Sequence, residues 1–356
     1  MHSFISSSES RESESRAARH AMVVLLVAVL CYCGLLEFFS RVALNRISRT
    51  QHRISEDYRA AKSLRGAEPG DAPTMLVVGN SLLLVGVDRP LLAKRLASNY
   101  LVAVLPVENT QFEDWYFGLR RLYAEGSRPS TIVVCLSTQQ MISNSTYGEY
   151  FAHYLMRTAD LLVVKRAVGL DNTVTSNYFF AHWSAWLGSR AETRNWLIHK
   201  LMPNLGQLTQ YFPAKPSSMP QPSDVVERAL IHLRVLKDLS TSYGSTFVAV
   251  VPPTLDANDA QTEVQDAAAR VGIAVLIPLR PKETSLADYN SDGFHLNPKG
   301  AVRFTERLSV ALRNLGHTEL PDQVTMSQRL NGRGFGSAND RNKVPDGKIE
   351  NRGNAL

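Results

Sequence analysis

The sequence predicts an α/β fold: a doubly wound, mostly parallel, five-stranded sheet of the flavodoxin-like, three-layer kind, with a helical insertion and a transmembrane helix in front of it. Three observations carry this expectation. Short, near-continuous β-branched or apolar runs alternate with helix-compatible segments, as strands buried on both faces by crossover helices require. The alternation breaks once, across 141–222, and resumes afterwards. An apolar run at 21–39 stands apart from all of this and is long enough to span a bilayer as a helix of about 20 residues.

Taken in order, residues 1–20 are rich in Ser, Glu and Arg and are expected to be disordered. The run 21–39 reads as a membrane anchor. A cleaved signal peptide would want small residues where Leu36-Glu37-Phe38-Phe39 stands, and Leu30 and Tyr32 before the cysteines do not suit lipoprotein processing. Residues 40–70 form a charged stalk and linker, broken at Gly66-Ala67-Glu68-Pro69-Gly70. The α/β domain occupies 71–318. Its first strand is 74–79, followed by a helix over 90–97, a strand over 101–107, a helix over 112–123 and a third strand over 131–136.

The stretch 141–222 holds many of the aromatics, among them Tyr147, Tyr150, Phe151, Tyr154, Tyr178, Trp183, Trp186 and Trp196, with little strand character. It reads as a helical insertion whose aromatics form either core or a sugar or acyl platform. His153, His182 and His199 have no metal-ligand spacing and read as structural or surface residues. A helix over 224–243 follows, with Ser223 as N-cap and Gly244 as C-cap. Then come a strand over 246–251 ended by Pro252-Pro253, a helix over 260–271 that Asp259 can cap, a strand over 273–277 and a last helix over 298–315 with Pro298 in its first turn. Residues 319–356 lack apolar periodicity and are expected to be a disordered tail.

Composition narrows the function classes. The chain of 356 residues carries a net charge of +6 spread along its length, and no nucleic-acid module is visible, so nucleic acid is not an expected partner. Cys31, Cys33 and Cys135 make no redox or metal spacing; neither cofactor nor metal is expected.

The chemistry lies in two short stretches far apart in sequence. Val77-Val78-Gly79-Asn80-Ser81 is a strand that stops at a glycine and presents a hydroxyl. Asp292-Gly293-Phe294-His295 places a carboxylate and an imidazole on one side of a turn. A serine needs a base, and the base needs a carboxylate to hold its tautomer, so Ser81, His295 and Asp292 are the candidate nucleophile, general base and orienting acid. The Gly-x-Ser-x-Gly turn of α/β-hydrolases is disfavoured, because Leu83 stands where glycine is needed.

At these residues the chain resembles the SGNH or GDSL-type hydrolases. Gly79-Asn80-Ser81 is similar to their first block, with Asn80 where Asp is commoner, and Asp292-x-x-His295-Leu296-Asn297-x-x-Gly300 is similar to their last. The resemblance implies a three-layer fold and an oxyanion hole built from the Ser81 N–H, a glycine N–H after the second strand and an asparagine after the third. Here those places read Glu108-Asn109-Thr110-Gln111 and Ser137-Thr138-Gln139-Gln140. Asn109 and Gln139 are the candidate substitutes for the missing donors.

Ser-x-Gln after the third strand, an N-terminal anchor and a helical insertion are similar to the envelope-polymer branch of that superfamily, the lipoteichoic acid D-alanylation and alginate acetylation proteins. That likeness implies an extracytoplasmic serine esterase or O-acyltransferase whose partners are the bilayer, through 21–39, and an envelope glycan or an acyl-carrying membrane protein. Two alternatives stay open: a non-catalytic domain that binds glycan or assembles a membrane complex, and a cytoplasm-facing lipid esterase. The second draws on Arg41, Arg46, Arg49, Arg53 and Arg59, which follow the span and outnumber Arg11, Arg16 and Arg19 before it.

Overall fold

Five short strands, each followed by helix, assemble into one all-parallel sheet in the order β2-β1-β3-β4-β5. They are β1 (Thr74–Gly79), β2 (Leu101–Pro106), β3 (Thr131–Cys135), β4 (Thr246–Val250) and β5 (Ala274–Leu276). The computed structural model describes residues 6–67, 70–202, 220–255 and 259–315. Contacts group the chain into a unit ending at Arg313 and a second from Asn314 to Leu356. The tail expected over 319–356 lies outside the described residues.

The register explains the apolar runs. All six residues of β1 are buried, because its neighbours β2 and β3 cover both edges and helices cover both faces. Alternate side chains serve different layers. Leu76, Val78, Ile132, Val134 and Ala249 join one core with Trp115, Phe117 and Leu233. Met75, Val77, Val133 and Cys135 are buried as well and alternate with them. On that side, helix Ser81–Gly86 meets Leu296 and Phe304 of the C-terminal segment, and the Asp88 N–H bonds to Thr305 Oγ1.

Several boundaries differ from expectation. The helix of the apolar run is continuous over Ser6–Ile47, so part of the stretch expected to be disordered is helical. Glu, Arg and Ala are good helix formers and extend a helix already nucleated by the apolar run. The helix has a segment, Arg16–Val42, long and apolar enough to cross a membrane.

The expected stalk is also a domain element. Helix Arg49–Ser63, capped by Ser48, packs beside β2 with Ile54 and Ala61 buried. Arg53 donates to the Pro106 carbonyl at 2.7 Å and pairs with Glu108, and Arg89 forms a two-pronged bond to Asp57 at 2.9 Å on each oxygen. Ion pairs therefore account for charges that read as solvent-facing.

Neither Ser223 nor Asp259 caps its helix. The two helices, Pro222–Ser242 and Gln261–Val271, begin at Gln221 and Ala260, the latter with φ +48°. Proline in the first turn lets the former start two residues earlier than a cap at Ser223 would.

The insertion is helical, with helices Gly148–Tyr154, Leu161–Val168, Asn172–Trp183, Ala185–Gly188 and Arg190–Leu201. His153 Nδ1 donates to the Ala181 carbonyl and His182 Nδ1 to that of Ala152, both at 2.9 Å, tying two of these helices together. Its aromatics divide. Phe151 and Tyr178 are core, while Phe180, Trp183 and Trp186 are exposed. The side chains of Trp196 and His199 lie outside the described residues.

Candidate active site

Strand order reverses between β1 and β3, and in an open parallel sheet that is where a crevice forms at the carboxyl ends. Ser81 stands there, two residues past Gly79. The glycine is required, since a Cβ at this position would collide with the Cys135 carbonyl of β3. Asn80 then turns the chain. Its Oδ1 accepts from the Leu82 N–H and its Nδ2 donates to the Thr110 carbonyl, both at 3.0 Å. One fully buried amide thus caps helix Ser81–Gly86 and binds the end of β1 to the loop after β2. An aspartate could cap but could not donate, which gives a physical reason for Asn80 where the resembled block has Asp.

Ser81 is the first residue of its helix, so its N–H has no intrahelical acceptor by position. Its side chain is partly exposed.

The loop before helix Pro298–Leu315 carries the candidate base and its carboxylate. His295 Nδ1 donates to Asp292 Oδ2 at 2.7 Å, while Asp292 Oδ1 accepts the backbone N–H groups of Phe294 and His295 at 2.9 Å each. Partial burial would raise the Asp292 pKa, but these hydrogen bonds and the imidazole outweigh it and hold the carboxyl at about 2. Asp292 is accordingly an anion throughout the physiological range. Gly293, at φ +66°, makes the tight turn possible.

Asn297 fixes the loop from below. Its Nδ2 donates to the Ala287 and Tyr289 carbonyls, and its Oδ1 accepts from the N–H groups of Lys299 and Gly300. A Cβ on Gly300 would strike the Asp288 carbonyl.

His295 Nε2 is buried and has no hydrogen-bond partner among the described residues. With Nδ1 committed to a carboxylate, the neutral ring carries its proton there and leaves Nε2 as a bare acceptor. Helix Ser81–Gly86 lies against the same loop, since a Cβ on Gly86 would touch Leu296 at 3.6 Å. Asp292 and His295 are joined directly, then, whereas Ser81 is on the neighbouring element and makes no hydrogen bond to the ring in this arrangement.

The oxyanion candidates sit at different places. Asn109 is exposed in the loop after β2 and takes φ +60°, a left-handed conformation uncommon for a residue with a side chain. Gln139 is exposed in the short helix Thr138–Met141, where Ser137 and Gln140 form a reciprocal cap. It lines a cavity of about 420 Å³ with Gln111, Ser143, Asn144 and Arg228. Gln111 of its lining directly follows Thr110, whose carbonyl accepts from Asn80 of the serine turn.

Two supporting residues escaped the sequence reading. His232 stacks on Phe112 with ring centroids 3.6 Å apart and donates from Nδ1 to the Met141 carbonyl at 2.8 Å, which holds the Gln139 helix in place. Burial pushes its pKa down, keeping it neutral. Asp114 accepts from the N–H groups of Gln111 and Tyr147 and so fixes both the cavity wall and the start of the insertion. Only their place on buried faces of amphipathic helices could have marked them.

No protein-family model matches the chain, and no curated protein matches it. Among solved structures it is similar to that of TesA, at 16% identity and a TM-score of 0.36, over 68% of this chain and 99% of that one. It is also similar to an acetyl xylan esterase, Est2A, from the rumen bacterium Butyrivibrio proteoclasticus, at 13% identity and a TM-score of 0.35, over 71% of this chain and 66% of that one. A third is a carbohydrate esterase whose active site displays divergent catalytic and non-catalytic binding functions, at 12% identity and a TM-score of 0.31, over 71% and 67%. Likenesses this distant carry no argument about chemistry, which rests on the geometry above.

Proposed function

We propose that the chain is a membrane-anchored SGNH-like serine esterase or O-acyltransferase that acts on a cell-envelope polysaccharide. The observation that carries this reading is His295, whose Nδ1 is held by Asp292 while its buried Nε2 has no partner among the described residues. An imidazole oriented in this way beside a serine at a strand-end turn is suited to remove a hydroxyl proton.

In this reading Ser81 Oγ attacks an ester carbonyl and passes its proton to His295 Nε2. Negative charge develops on the carbonyl oxygen and is met by the Ser81 N–H, with Asn109 or Gln139 as the side-chain amide. Asp292 stabilises the imidazolium without taking the proton. Collapse expels the alcohol, which receives the proton from His295, and an acyl-Ser81 remains. Water or a sugar hydroxyl, activated by the same imidazole, then takes the acyl group.

The cavity beside the serine turn supports a hydroxylated substrate. Gln111, Gln139, Ser143 and Asn144 offer amide and hydroxyl groups in its lining, with Arg228 as a cation. A fatty acyl chain would want an apolar groove instead. The Arg16–Val42 helix supports anchoring, and placement of the domain outside the membrane rests on the resemblance in layout.

The full-length chain in detergent is expected to hydrolyse an aryl acetate slowly and to give acetylated product when an oligosaccharide is added, with both activities absent in Ser81→Ala. An acetyl transfer that survives this substitution would remove the assignment. A non-catalytic glycan-binding role is favoured by one observation, the absence of a Ser81–His295 hydrogen bond. It predicts oligosaccharide binding with no turnover.

A further inference from the structure

A second cavity, of about 480 Å³, lies between the end of the apolar helix, helix Arg49–Ser63 and the insertion. Three guanidinium groups line it, from Arg41, Arg59 and Arg121, together with His153, His182 and Trp183. Among the described residues, no carboxylate is in its lining. Arg121 is in the last turn of helix Phe112–Ala124, whose first turn starts at the carboxyl end of β2. Along that helix the cavity is displaced by about 13 Å from the strand ends that carry the candidate active site.

Its position relative to the apolar helix is fixed by hydrogen bonds. Glu37 accepts from Ser184 Oγ at 2.7 Å and from the Ala185 N–H at 2.8 Å, and Arg41 donates to the Trp183 carbonyl at 2.9 Å. Both residues belong to the end of the Arg16–Val42 segment. The insertion is therefore clamped at the level where that segment would leave the hydrocarbon. There it exposes Phe180 (55%), Trp183 (62%) and Trp186 (37%), the large amphipathic rings that membrane interfaces favour.

The charge is incompletely neutralised. Arg41 pairs with Glu37 and Arg121 with Glu125. Arg59 has no ion-pair or hydrogen-bond partner among the described residues and is exposed at the rim. His153 and His182 are pinned by their Nδ1 atoms, so the walls are pre-organised.

We propose that this cavity binds the phosphate of an anionic membrane lipid, with the exposed aromatic edge of the insertion seated in the adjoining membrane interface. The proposal rests on reading Arg16–Val42 as a membrane span. Guanidinium groups recognise phosphate oxygens by charge-assisted hydrogen bonds, and the surface of an anionic leaflet concentrates the ligand. A lipid so held would fix the height and tilt of the domain against the bilayer.

The test uses the full chain in micelles of a neutral detergent, read by tryptophan fluorescence, with Trp183→Phe identifying the signal from the cavity. Phosphatidylglycerol is expected to give a saturable change at a concentration several-fold lower than phosphatidylcholine. Arg59→Ala should weaken the response about fivefold, the worth of one interfacial arginine, and Arg59→Glu should abolish the preference, both with an unchanged melting temperature.

Equal responses to the two lipids, or an undiminished response in Arg59→Glu, would overturn the proposal. Inorganic phosphate reproducing the full response would show a site for soluble anions and overturn the lipid assignment. The underlying span is read separately: extraction from washed membranes by alkaline carbonate without detergent would refute the anchor itself, whatever the lipid selectivity.

Discussion

His295 Nδ1 donates to Asp292 Oδ2 across 2.7 Å, within a loop whose backbone amides already grip the other carboxylate oxygen. The tautomer of His295 is thereby set by a local turn, independent of the rest of the site.

Asp292→Asn should consequently leave the fold intact and lower acyl-transfer turnover by about 10⁴-fold, because an amide in place of the carboxylate favours the wrong tautomer. Circular dichroism and initial rates check both halves. The carboxyl is held at about 2, below its unfolded value, so its contribution to stability is present above about pH 4 and is lost as pH falls through about 2. Below about pH 4 the melting curves of wild type and variant should converge as Asp292 takes up its proton. An offset that widens in acid would contradict this.

Asn80→Asp should destabilise the domain by about 1–3 kcal/mol, read from the denaturant midpoint, because a buried carboxylate would face the Thr110 carbonyl with no proton to donate. Full stability would mean that the Thr110 contact does not hold the turn.

A reporter active only outside the cytoplasm, fused to the C-terminus of the full chain, should be active in cells. Activity of a cytoplasm-only reporter at the same place would reverse the orientation and favour the lipid-esterase reading. The C-terminus is chosen because residues 49–63 pack beside β2, so a fusion after residue 66 would split the domain.

How much of this was legible in sequence follows from the range of each interaction. β1 and β3 announce themselves because strands buried on both faces must be apolar throughout. The Asp292–His295 bond is legible for a similar reason, being made across three residues. Helix Arg49–Ser63 looks like a stalk in sequence because Arg53 and Asp57 look solvent-facing until Glu108 and Arg89 are brought to them from other elements. Trp183 and Trp186 offered a choice between platform and core, and only the reach of Glu37 across 149 residues shows that they sit at the end of the apolar helix instead.

The central claim is that Ser81 is a nucleophile activated by His295. The most direct measurement is covalent labelling of the detergent-solubilised full chain by a serine-directed fluorophosphonate, with the adduct located by peptide mass. The account predicts one adduct, on the peptide containing Ser81, lost in Ser81→Ala and slowed by orders of magnitude in His295→Ala. Labelling that is equal in wild type and Ser81→Ala, or absent from wild type, would contradict it.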